Sequence, residues 1–195
     1  LEGTLNETRE KILQATITLM REKGIKAMTT RSIAEAAGVN EVTLFRHFGN
    51  KAGLIGAAVA AFSYVPSITK AFQETITWNL EHDLYLFSKA YFDVMEQNRD
   101  VIVIGFKEAD QLPELQEEIA KIPRQLKVLL IEYLTEMQRR GHVIETNIEA
   151  QAMHFIWTNF GYFISRARFQ QRITTLTHDE FIRSCLHIFA RGLTP

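Results

Sequence analysis

The chain has a single cysteine, Cys185, among 195 residues, so no disulfide can form within it, and such usage fits a reducing compartment. Cys185 itself sits in a helical apolar pattern, where a thiol serves as inert packing rather than as a nucleophile. Metal-binding spacings are equally scarce. The six histidines (47, 82, 142, 154, 178 and 187) include no i, i+4 pair, no HExxH and no cysteine partner, which removes the ligand sets of zinc enzymes. The trio Glu81-His82-Asp83 offers acid and base types, but neighbouring residues diverge around a helix and cannot converge on one atom. No glycine-rich phosphate loop is present. We therefore expect no metal, no cofactor and no enzymatic activity.

Other absences bound partners and location. The net charge is only -1, so no overall basic field advertises a polyanion. The first 25 residues are charged and amphipathic throughout, unlike a secretory signal. One uncharged run, Ala52 to Thr69, has 18 residues with Pro66, two glycines and five alanines. That is the lower limit for crossing a bilayer, and we expect an interior helix there, ending near Tyr64. The expected location is cytoplasmic, without a membrane partner. Repeats, low-complexity tracts, Gly/Ser linkers and strand-like alternation are all missing.

What is present is helical periodicity almost throughout. Thr4 or Asn6 caps a first helix, with Ile12, Leu13, Thr16, Ile17, Leu19 and Met20 on its apolar face and Gly24 as its stop. Two short helices follow, Thr30 to Ala37 capped by Thr29 and Glu41 to His47 capped by Asn40. A fourth starts near Asn50, with Pro66 breaking it or opening a new turn. Longer ones are expected at Trp78–Gln97, Asn147–Phe169 and Thr177–Gly192, with a brief one at Val101–Ala109. Pro113 and Pro123 each suit the first turn of a helix. The class is all-α, with about nine helices.

The informative stretch is GVNEVTLFRHFGNK, residues 38–51. It places a helix of barely two turns between Gly38 and Gly49, too short to stand alone. With the preceding TTRSIAEAA it forms helix, tight turn, helix. Ala34, Ala36 and Ala37 permit close approach, and Ile33, Val39, Leu44 and Phe48 lock the pair at a steep angle. This is a helix-turn-helix, whose second helix lies in the DNA major groove. Residues 1–51 carry eight basic and six acidic side chains, against 14 and 17 in the remainder. The sign of that contrast agrees with a DNA-facing N-terminus.

From residue 5 to residue 55 the pattern resembles the TetR family of bacterial transcriptional regulators. The matched positions are Thr29, Ile33, Ala34, Ala37, Gly38, Val39, Leu44, Phe48, Lys51 and Leu54; Phe45 stands where the family usually has tyrosine, so its ring can only pack. The resemblance implies a helix-turn-helix DNA-binding domain of three helices, residues 1–50, and a larger helical ligand-binding and dimerisation domain, residues 51–195. It implies a sequence-specific regulator, expected to be a repressor released by a small, largely apolar ligand. The expected partners are a palindromic double-stranded operator, a small-molecule effector and a second copy of the chain.

Thr30 and Arg31 are placed to hold phosphate, as are Lys51 and the amides of the next helix start. Thr43 and Arg46 face outward if Leu44 and Phe48 face in, as candidates for base or phosphate. His47 can donate to phosphate or serve structure. Asn40 is a cap first and a base reader second. Glu41 either complements the positive end of its helix or accepts from cytosine N4. All nine, Leu44 included, form the expected DNA-binding set.

In the body, aromatics such as Phe62, Phe72, Trp78, Phe87, Tyr91, Phe155 and Phe163 can enclose an apolar pocket. Plain packing is the competing reading for each. His82, Tyr85, Lys89, Gln125, Tyr133 and Asn159 are the expected lining. The last two helices, through Ala152, Phe155, Ile156, Phe160, Phe163, Ile164, Phe181, Cys185, Leu186 and Phe189, are the expected dimer surface. The alternative is an all-α protein-interaction or membrane-surface adaptor without DNA specificity.

Overall fold

The computed structural model of the chain describes residues 2–61 and 65–195, without the side chains of residues 2–5, 111 and 114. Among the described residues there are ten α-helices, one 3-10 turn and no strand, in agreement with the all-α class. The helices are α1 (Glu2–Ala27), α2 (Thr30–Ala37), α3 (Glu41–Phe48), α4 (Lys51–Ala61) and α5 (Val65–Thr75). They continue as α6 (Leu80–Gln97), α7 (Arg99–Glu108), α8 (Pro113–Arg139), α9 (Ile148–Phe169) and α10 (His178–Leu193).

Most boundaries are set by local chemistry. Asn79, Asn147 and Thr177 each accept a backbone N–H of the first turn they precede, and so start α6, α9 and α10. Gly24, at φ 73° and ψ 166°, interrupts α1 where its stop was expected. Three expectations need correction or fall outside the description. Helix α1 begins at Glu2, so Asn6 lies within it rather than at its cap, and the Thr4 side chain is outside the described residues. Pro123 lies inside the continuous α8 instead of opening a helix, although its ring nitrogen cannot donate to the carbonyl four residues back. The expected helix end near Tyr64, and Phe62, lie outside the described residues.

The chain divides into two compact units. The first is Leu1–Ser63 with Asp100–Lys121, the second Tyr64–Arg99 with Ile122–Pro195. The first unit reaches past the domain boundary expected at residue 50. Its core gathers Ile12, Ile17, Met20, Met28, Ile33 and Leu44, then adds Leu54, Ile55 and Ala58 from α4, and Val101 and Leu115 from later helices. Lys51–Thr75 is long and apolar enough to cross a membrane by length and composition. The described part of α4 nevertheless spends its apolar residues on this core.

The second unit packs Phe72, Phe87, Phe155 and Phe163 at its centre, all nearly inaccessible. Phe72 meets Phe87 edge-on at 5.3 Å and Tyr133 at 5.1 Å. The buried Asp83, Ser88 and Asn159 of this unit are all hydrogen-bonded. Asp83 accepts from the Thr77 hydroxyl at 2.6 Å, from the N–H groups of Thr77 and Trp78 at 2.9 Å each, and from the Tyr133 hydroxyl at 2.9 Å. Burial, then the hydrogen bond to Asp83, keeps the Tyr133 phenol protonated far above its ordinary range. This clamp holds Trp78 at φ 65°, an unusual conformation for a bulky residue. The ring of Trp78 stacks on Tyr133, with the Arg140 guanidinium 3.6 Å from its centroid.

His178 opens α10 and stacks on Phe92, with centroids 4.0 Å apart and planes within 7°. Its Nε2 is buried without a hydrogen-bond partner among the described residues. Burial lowers its pKa to about 4, against the opposing pull of Asp93 and Asp179. The unfolded chain therefore binds a proton below about pH 6.5 that the folded chain refuses, and this contribution to stability is lost as pH falls from there towards 4. The urea midpoint is expected to drop more between pH 7 and pH 5 for the natural chain than for His178→Gln. Equal drops would contradict this assignment.

Candidate nucleic-acid interface

Residues 29–53 are shaped by caps and glycines. Thr29 and Ser32 exchange a capping box, the Ser32 N–H reaching Thr29 Oγ1 at 3.0 Å. Gly38 ends α2 in the left-handed region at φ 67° and ψ 33°, and the Val39 N–H returns to the Ala34 carbonyl at 2.9 Å. A residue with a Cβ is strained in that turn. Asn40 Oδ1 accepts from the Val42 N–H at 2.9 Å, so Asn40 caps α3. Gly53, a position whose need for glycine the sequence does not reveal, lies where α4 abuts α3. A Cβ there would fall 2.5 Å from the Phe48 carbonyl oxygen.

The short α3 is braced from one side only. Leu44 is fully buried with Ile33 and Ala34, and Val39 and Phe48 pack against the same core. Arg9 of α1 lies 5.5 Å from the Phe48 ring centroid. The opposite face carries Val42, Phe45 and Arg46, all exposed. Arg46 makes no hydrogen bond or ion pair among the described residues, so its guanidinium is unengaged there.

The remaining expected residues divide by how they are engaged. The Thr30 hydroxyl donates to the Glu41 carboxylate, tying the first residue of α2 to the first of α3. Neither expected role of Glu41 anticipated that contact. Lys51 Nζ donates to the Ile25 carbonyl at 2.8 Å, next to the α1 interruption, and a second of its three protons must serve any phosphate. Arg31 pairs with Glu35 at 3.0 Å, but both are exposed enough that the pair holds it weakly. Thr43 and His47 are half-buried. His47 Nε2 is buried without a partner among the described residues. Leu44 is corrected: a side chain with no accessible surface braces the helix and cannot touch a duplex.

The six residues expected to line one ligand pocket are dispersed. Tyr133 is committed to Asp83. Asn159 accepts from the Ser88 hydroxyl at 2.6 Å and donates to the Phe155 carbonyl at 2.9 Å, so its amide is satisfied within the core. His82 and Tyr85 share a surface cleft with Asn79, Glu81, Arg183 and Leu186. There the Tyr85 hydroxyl donates to Asp179 at 2.6 Å, a bond that raises its pKa. Lys89 and Gln125 are exposed. Helical spacing placed each of them on a helix surface without saying which neighbour would cover it.

The expected dimer residues also separate into two layers. Ala152, Phe155, Ile156, Phe163 and Leu186 belong to the core of the second unit. Phe160, Ile164, Phe181, Cys185 and Phe189 are half-buried, and two side chains outside the expected set, Trp157 at 50% and Ile188 at 72%, are exposed on the same two helices.

A two-turn helix held by its inner face, with an unpaired arginine on its outer face and a capped helix set across its start, is a helix-turn-helix reading head. A family model described as "Bacterial regulatory proteins, tetR family" matches residues 12–58. Over 191 residues the chain is 32% identical to the uncharacterized HTH-type transcriptional regulator YvkB of Bacillus subtilis (strain 168), covering 97% of this chain and 99% of that one. It is 28% identical over 156 residues to a protein of Escherichia coli (strain K12) assigned as repressor of the acrEF/envCD operon, covering 80% of this chain and 57% of that one. The crystal structure of a transcriptional regulator assigned to the TetR family from Mesorhizobium loti MAFF303099 shares the fold, with a TM-score of 0.80 at 18% identity over 98% of both chains. The chain belongs to the TetR family of bacterial transcriptional regulators. It is a DNA-binding regulator and not an enzyme.

Proposed function

We propose that the chain is a cytoplasmic repressor that binds a palindromic operator as a homodimer and leaves it when a small, largely apolar ligand binds the body, residues 51–195. The observation that carries the DNA reading is the outer face of α3, where Arg46 stands exposed and unengaged while Leu44 anchors the helix from behind. Thr30, Arg31, Asn40, Thr43, His47 and Lys51 flank that face in this reading, with Glu41 held by Thr30. Selection of duplexes from a random pool with the purified chain tests it: one recurrent, two-fold symmetric site is expected. Enrichment of no sequence counts against it.

The dimer reading rests on the outward apolar side chains of α9 and α10. Large exposed patches of this kind mark contact surfaces. A twofold axis would set two such helix pairs against one another and present two copies of α3 at a spacing of about one DNA turn, 34–36 Å, or a multiple. Ile188→Glu is expected to weaken self-association about tenfold or more, because each interface loses one buried side chain twice and gains two charges. Sedimentation equilibrium checks this, and an unchanged dimer would remove Ile188 from the interface.

Ligand release follows from linkage: an effector that favours a conformation with a different spacing of the α3 helices must lose affinity when DNA is bound. In this reading the aromatic side chains of the second unit, packed together at its centre, part to give the apolar surface for such a ligand. The polar pairs Asp83–Tyr133 and Ser88–Asn159 supply groups that can orient it only by exchanging their present partners.

A further inference from the structure

Val42 is 73% exposed, the highest value among the exposed large hydrophobic side chains of the described residues. It sits on the first turn of α3. One turn on, Phe45 is 42% exposed, and Arg46 stands beside it. The spacing i, i+3, i+4 puts all three on one face, opposite the fully buried Leu44. Helix formation does not account for this choice. A solvent-facing position in so short a helix is better filled by alanine, leucine or glutamate than by a β-branched valine. Packing does not account for it either, since the core contact of α3 runs through Leu44 and Phe48.

We propose that Val42 and Phe45 read thymine methyl groups in the major groove, so that the operator half-site carries A·T pairs beneath the first turn of α3. This rests on the DNA-binding reading above and deepens it. The C5-methyl of thymine is the apolar group that the major groove offers, and apolar side chains distinguish it from the bare edge of cytosine. The neighbouring groups favour that use. Glu41 is held back by the Thr30 hydroxyl, and Asn40 spends its carbonyl oxygen on the Val42 N–H. The leading edge of the helix is therefore an apolar patch, with Arg46 one turn behind it to contact phosphate or a base acceptor. Docking would remove the Val42 and Phe45 side chains from water and cover the methyl groups at the same time.

The test uses the full chain and its selected duplex. Each thymine is replaced singly by deoxyuridine, which deletes the methyl and leaves base pairing and the O4 acceptor intact. Removing one buried methyl is expected to weaken binding about three- to fivefold at each contacted thymine. Val42→Ser and Phe45→Ser change exposed positions, and circular dichroism is expected to show an unchanged fold. Each variant should lose the deoxyuridine sensitivity at its own thymine and relax the selected base there. The inference is overturned if the chain selects an operator but no deoxyuridine weakens binding, or if both variants keep the sensitivity of the natural chain. A chain that selects no duplex at all overturns the regulator reading itself, and this one with it.

Discussion

Asp83→Ala is expected to cost about 3–5 kcal/mol of folding stability, because one buried carboxylate satisfies four donors and its loss strands those that water cannot reach. The donors are the Thr77 and Trp78 backbone N–H groups and the Thr77 and Tyr133 hydroxyls. Thr77 is near the surface and can rehydrate, which holds the cost below the sum of four orphaned groups. Asp83→Asn keeps the shape but points an N–H₂ group at a donor, so it is expected to lose about half as much. The same change frees Trp78 from its left-handed conformation and from the sandwich between Tyr133 and Arg140. Urea unfolding followed by tryptophan fluorescence measures both effects. Stability within about 0.5 kcal/mol of the natural chain would show that the carboxylate is dispensable.

Arg46→Ala is expected to abolish selective DNA binding while leaving the fold and self-association intact. The side chain is exposed and makes no contact that the fold needs among the described residues. Loss of an arginine contact to a base is worth about 1–3 kcal/mol in each half-site, so a symmetric site loses on the order of a hundredfold or more. The form of the loss is informative. If Arg46 touches a base, the preference at one position of the half-site relaxes. If it touches phosphate, all sequences weaken alike and the salt slope falls by about one per protomer. Binding titrations against the selected and a scrambled duplex at two salt concentrations distinguish these outcomes, and full retained preference would remove Arg46 from the interface.

The reading head was legible in the sequence because its determinants are local. Thr29, Gly38, Asn40 and Gly49 act within four residues of themselves, through caps and positive-φ turns, and such rules do not depend on the rest of the fold. Gly53 was less legible, since its close contact is with a carbonyl belonging to the preceding helix. The Thr30–Glu41 bond spans eleven residues and depends on the angle between two helices. Leu44 stood among the DNA-contact candidates although its inward direction followed from its neighbours, and only its burial settled which of the two applied.

By itself the sequence determined the all-α class and the helix-turn-helix, because periodicity, capping and turn chemistry are read within a few residues, and its matched positions from Thr29 to Leu54 carried the resemblance to the family. The tertiary structure decided which side chains meet. Asp83 finds Tyr133 fifty positions away and Ser88 finds Asn159 seventy-one away. Periodicity states that a helix has an apolar face, but a stripe that fills its own core and one left for a partner have the same spacing. Phe155 and Ile188, both apolar positions on the last two helices, fall on opposite sides of that division. The reason is physical: burial is a property of what packs against a residue, and that neighbour is supplied by distant parts of the chain.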